Sequence, residues 1–195
     1  MKIILTLFVL LFSSSVFADD ISDFEIDGIS VGNSLLDYMS EDKIKSEIKR
    51  TRYMYERLTN EFGEVYLYKG LEKTYDTMSF FVRLKDRKYI IHSIFGSISY
   101  IEDMKGCLKK RNEIVEELSK IFVNAKKQET THKHNADPTG RSINQGVYFS
   151  FKSGEIKVEC DNFDENFRNK MDWDEGLSVA IGTNVFIKWI TNIVN

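Results

Sequence analysis

Proline is almost missing from this chain: Pro138 is the only one. Cysteine is nearly as scarce, with only Cys107 and Cys160, and no C-x-x-C spacing that would point to a redox pair. No cysteine follows Ala18, which excludes the bacterial lipoprotein route of acylation at that position. Charge of one sign is missing too. The formal net charge is -3, with acids and bases interspersed, so the footprint of a nucleic-acid binder is not there. The longest apolar run, Ile3 to Phe12, falls short of the roughly 20 residues a membrane-spanning helix needs. Local signatures of catalysis are missing as well. There is no G-x-S-x-G, H-E-x-x-H, P-loop or G-x-G-x-x-G, and the EF-hand order of oxygen donors is absent. No catalytic residue and no cofactor is nominated.

What is present begins with an export signal. Lys2 supplies the positive start, Ile3 to Phe12 the apolar stretch broken only by Thr6, and Val16-Phe17-Ala18 a small-x-small cleavage site. Residues 1–18 are therefore expected to be a signal peptide cut after Ala18. The mature chain, 19–195, then carries no transmembrane segment and resides in the periplasm or outside the cell. Losing Lys2 takes the net charge from -3 to -4.

The mature chain reads as one α+β domain. Ser34 and Ser40 are placed to cap a short helical turn and a helix that runs toward Leu58. Val65 to Tyr68 is a short strand, and Gly63 punctuates before it. Met78 to Ser99 reads as a hairpin turning at Asp86-Arg87, with Gly96 marking a bulge or bend. Met104, Cys107, Leu108, Ile114, Val115, Leu118, Ile121, Phe122 and Ala125 form a helical stripe between Glu102 and Asn124. Residues 126–145 are polar, aperiodic and hold the single proline, so a mobile loop is expected there. A second strand set follows: Val147, Phe149 and Phe151, then Ile156, Val158 and Cys160, then Leu177 to Ile181. A terminal helix starts at Thr183 or Asn184. The order is α, βββ, α, loop, βββ, α, with antiparallel sheet and packed helices.

Cys107 lies on the apolar stripe of a helix and Cys160 on the apolar side of a strand. Both face the same core, which predicts a Cys107–Cys160 disulfide closing a 53-residue separation. His132, His134 and Asp137 have the side chains to hold a transition metal, but two histidines in a polar stretch with no third ligand at regular spacing read as a solvated loop. His92 reads as a core or half-buried histidine. The acids from Asp161 to Glu175 read as a solvated patch anchored by Phe163, Phe167, Met171 and Trp173. Sequence alone does not pair those carboxylates in space, so no acid or nucleophile is assigned.

Phe24 to Glu41, F-E-I-D-G-I-S-V-G-N-S-L-L-D-Y-M-S-E, resembles the opening of uncharacterised secreted bacterial proteins with a Gly-Ile/Met-Ser-x-Gly-x-Ser-Leu-Leu-Asp-Tyr run after the signal. That resemblance covers these residues and implies no activity. A more distant likeness is to small envelope-assembly modules related to the outer-membrane lipoprotein of the β-barrel assembly machinery. There, a glycine turn opens a helix pair before a three-stranded sheet, and Gly28 to Ser34 would be that turn. This chain differs in lacking a lipid-bearing cysteine and in its extra C-terminal half, so the likeness is one of fold only. Physically, the stretch is a latch that tucks the mature start against the core. The functional expectation is a non-enzymatic module that binds a protein or small molecule. The alternatives are an envelope-assembly accessory factor, or a hydrolase with a carboxylate or metal site.

Overall fold

A computed structural model describes residues 20–52, 61–67, 74–171 and 173–194, the side chains of 193 and 194 apart. The expected signal segment 1–18 and the Tyr55 to Leu58 end of the first helix lie outside them. Helices α1 (Glu41–Thr51), α2 (Met104–Ile121), α3 (Glu165–Met171) and α4 (Asn184–Val194) accompany seven strands. These are β1 (Phe62–Leu67), β2 (Thr77–Arg83), β3 (Ile91–Ser99), β4 (Lys126–Lys133), β5 (Ile143–Ser150), β6 (Gly154–Asn162) and β7 (Gly176–Thr183). All seven join in one antiparallel sheet in the order β1-β2-β3-β7-β6-β5-β4. The class is therefore α+β, as expected, but the order of elements is not.

Two differences account for that. Residues 126–145, expected to be a loop, are mostly strand. β4 pairs with β5 from Lys126↔Ser150 to Lys133↔Ile143. It sits at the sheet edge with nearly every residue exposed, so its sequence KKQETTHK carries no apolar alternation to announce it. The acidic stretch after Asn162 is also ordered, with α3 inserted between β6 and β7.

Register divides the sheet into two faces. Ile156, Val158 and Cys160 lie opposite Ile181, Val179 and Leu177, and Ile94 lies opposite both Ile181 and Phe80. These residues form the main core, together with Ile44 of α1 and Cys107, Val115 and Leu118 of α2. The Cys107–Cys160 disulfide, Cα–Cα 6.1 Å, ties α2 to β6 within that core. Both cysteines are fully buried.

The opening segment closes the same face. Ile21, Ile26, Ile29, Val31 and Leu35 are buried in the core. Gly28 (φ 77°) and Gly32 (φ 90°) sit in the left-handed region that the turn requires. The Gly32 N–H then donates to Ile91 O (2.8 Å), and the Ile91 N–H to Asn33 O (2.9 Å), so the latch pairs with the start of β3. Ser34 and Ser40 act as helix caps, accepting from the N–H groups of Leu36 (3.2 Å) and Lys43 (3.4 Å).

Two glycines have different work from that expected. Gly63 lies inside β1 rather than before it. Gly96 keeps regular pairing, with Met78 and Val179 opposite. Its missing side chain makes room for the Tyr75 ring, which a Cβ would meet at 2.7 Å. The irregularity in this hairpin is at Phe81/Val82 instead.

Candidate functional site

The second face of the sheet is built differently. Its floor is the other half of each alternation: Ser79 and Phe81 on β2, Ser93, Phe95, Ser97 and Ser99 on β3, Ser178 and Ala180 on β7, and Glu155, Lys157, Glu159 and Asp161 on β6. At one end α4 lays Phe186 and Trp189 on Phe62 and Phe81, forming a second apolar cluster. At the other end Phe163, Phe167 and Trp173 close around His134, with ring centroids 5.0 to 6.3 Å apart. Between them runs a groove of two depressions, about 510 and 520 Å³, which share Tyr66 and Phe95 as lining.

Polar groups in the groove are held by neighbours. The Tyr148 hydroxyl donates to Glu159 Oε1 (2.5 Å), and Lys157 Nζ lies 3.4 Å from Glu159 Oε2. Burial, then the Glu159 charge, pushes the Tyr148 phenol well up. Burial likewise raises the Glu155 carboxyl. Asp161 accepts from Asn144 Nδ2 at Oδ1 (2.8 Å), and burial raises its carboxyl despite that bond. His134 Nε2 stands 4.0 Å from the same oxygen. Because His134 Nδ1 accepts from the Ala136 N–H (3.3 Å), the ring proton of the neutral form is on Nε2 and faces Asp161. The hydroxyl of Ser79, buried on the floor, has no hydrogen-bond partner among the described residues.

The metal candidates are separated by this fold. His132 is exposed on β4, while His134 is enclosed by aromatic rings. Asp137 is buried and spends both carboxylate oxygens on a turn. Oδ1 accepts from the Thr139 N–H (2.8 Å) and hydroxyl (2.7 Å), and Oδ2 from the Ser142 N–H (2.9 Å) and hydroxyl (2.7 Å). Burial acts to raise that carboxyl, but these four donors hold it far below the usual carboxylate range. Among the described residues no three His, Cys, Asp or Glu side chains are grouped to hold a metal ion. His92 is half-buried, its ring edge-on to Phe62 at 5.3 Å and its Nδ1 3.2 Å from Thr183 Oγ1, and burial lowers its pKa.

The acids expected to form a solvated patch have separate positions. Asp164 pairs with Arg141 through two bonds (2.7 and 2.9 Å). Glu175 is buried, accepts from the Glu102 N–H (2.5 Å) and lies 3.4 Å from Arg168. Asp161 and Asp174 line the groove. Sequence reading missed the groove residues Asp76, Phe95, Ser99 and Tyr148 altogether. The available signal was the polar half of each strand alternation, but which strands adjoin is set by the β3–β7 pairing, which no local pattern reveals. No helix among the described residues is long and apolar enough to cross a membrane. No family model, curated protein or solved structure matches the chain.

Proposed function

We propose that this protein is an exported, non-enzymatic binding module whose ligand lies along the groove on the second face of the sheet. The observation that carries this reading is the contrast between the faces. One is covered by α1, α2 and the N-terminal latch, while the other leaves a polar, carboxylate-bearing floor between two aromatic ends. A cleft with a few directed polar groups is where ligands bind. Three of the floor carboxylates are engaged by a neighbour in the fold: Asp161 by Asn144, Glu159 by Tyr148 and Lys157, Asp174 by Ser99. The buried disulfide supports an oxidising compartment, in keeping with export.

The test is an amide chemical-shift titration of the ¹⁵N-labelled chain against a mixed set of sugars, organic acids, amines and short peptides. At least one class should shift the amides of Phe95, Ser97, Lys157 and Ser178. Ala180→Trp, which fills the floor beside Phe95, should abolish the shifts while leaving far-UV circular dichroism unchanged. Shifts clustered away from the groove, or none from any class, overturn the reading.

A further inference from the structure

We infer that the depression against α4 takes a small neutral aromatic molecule whose carbonyl oxygen accepts a hydrogen bond from Ser79, an inference that rests on the binding-module reading. Ser79 lies on β2 between Tyr66 and Phe95 of the adjoining strands, and it lines that depression. It is 1% exposed, and its hydroxyl has no hydrogen-bond partner among the described residues. Ser93, on the same floor, shows the alternative: its hydroxyl donates to Ile181 O (2.7 Å) and is spent inside the fold. A buried donor left unpaired costs stability, and alanine fills the same strand position without that cost. The Ser79 hydroxyl therefore adds nothing to the fold, and its use lies with a group from outside. The unmet proton of a hydroxyl calls for an acceptor oxygen.

The walls decide the rest of the molecule. Phe81 and Phe95 on the floor and Phe186, Ile187 and Ile190 of α4 line the space. Ile187 and Ile190 are only half-buried and Phe95 is 36% exposed, so apolar surface is left uncovered there. An aromatic ring laid on Phe95 covers that surface and gains the edge or offset contacts that ring pairs prefer. The volume, about 520 Å³, is that of small-molecule sites, which are mostly apolar with a few placed polar groups.

Charge in the lining is mixed, which selects a neutral ligand. Glu64 and Glu155 are acidic, Lys157 is basic, and Lys157 Nζ lies 3.4 Å from Glu159 Oε2. An anion meets two carboxylates, of which Glu64 is buried. Burial already raises the Glu155 carboxyl, and a further negative charge beside it would oppose its ionised form again. A cation meets Lys157, held in place by Glu159. A neutral molecule meets neither penalty.

The experiment adds acetophenone to the ligand classes titrated above, with the disulfide-intact chain. It should give saturable shifts at the amides of Ser79, Phe95, Ala180 and Ile187. The isosteric hydrocarbon α-methylstyrene, which lacks the oxygen, should bind about threefold to tenfold more weakly, the range of one neutral hydrogen bond. Benzoate and benzylamine should each bind more weakly than the ketone. Ser79→Ala should erase the ketone's advantage over the hydrocarbon. The free variant should melt no lower than wild type, because the hydroxyl has no partner to lose. A variant that melts lower, or a ketone and hydrocarbon of equal affinity for wild type, overturns the role given to Ser79. Benzoate or benzylamine binding as tightly as the ketone overturns the neutral assignment. Another class that shifts groove amides while acetophenone does not, or acetophenone shifts confined to the Trp173 end, overturns the inference and leaves the binding-module reading intact. Groove amides unmoved by every class overturn both.

Discussion

Replacing both cysteines, Cys107→Ala with Cys160→Ala, removes the link between α2 and β6 without leaving a lone buried thiol. The bond closes a sequence separation of 53 residues. Chain entropy for a loop of that length gives about 4 kcal/mol of stabilisation, acting mainly by restricting the unfolded chain. Both sulfurs are fully buried, so their removal also leaves the core less well filled. The expected loss is about 3–5 kcal/mol, which for a chain of this length lowers the melting temperature by roughly 10 °C. Urea unfolding is the assay. The midpoint should fall and the m-value should rise, because an unlinked chain exposes more surface. Wild-type protein unfolded with reductant should converge on the variant. The fold itself should persist, because β3 pairs with β7 along Ser93–Ser99 independently of the bond. A loss under about 1 kcal/mol, or an m-value that does not change, would refute the argument that the staple works through the unfolded state.

Three further outcomes are expected. Asp137→Asn should destabilise the Thr139–Ser142 turn in a pH-dependent way. A carboxyl held below its ordinary value contributes fully above about pH 5 and loses its contribution as pH falls below about 4 toward its folded value. The difference between wild type and variant in urea titrations should therefore shrink on acidification, and a constant difference argues against the hydrogen-bonded anion. Gly154→Ala should cost about 2 kcal/mol or more, because its Cβ would stand 2.1 Å from the Gly182 carbonyl oxygen; near-wild-type thermal unfolding would contradict that contact. Intact-mass measurement of exported protein should give a chain beginning at Asp19, and a retained N-terminal segment would count against the signal peptide.

Legibility in the sequence tracked burial. The α2 stripe, the β2–β3 hairpin and the strands β5, β6 and β7 were readable because each sets apolar residues at a regular period against one core. The two inward cysteines followed from the same periodicity. β4 was unreadable because an edge strand exposed on nearly every residue has no hydrophobic period to show. Asp137 reads as part of a solvated loop because nothing local says that Ser142 will turn back onto it. The groove was the least legible part. Asp76 and Asp174 meet at Ser99 only because β7 lies beside β3, a pairing between residues some 80 positions apart.

That pairing also sets when the molecule can exist. β7 is the penultimate element in the chain, yet it lies at the centre of the sheet, between β3 and β6. Until residues 176–183 are available, β1 to β3 end in an unpaired strand and β4 to β6 in another. Before β7 docks, β3 and β6 are two further open edges and there is no continuous sheet, and closure must bridge a long chain separation, which slows folding.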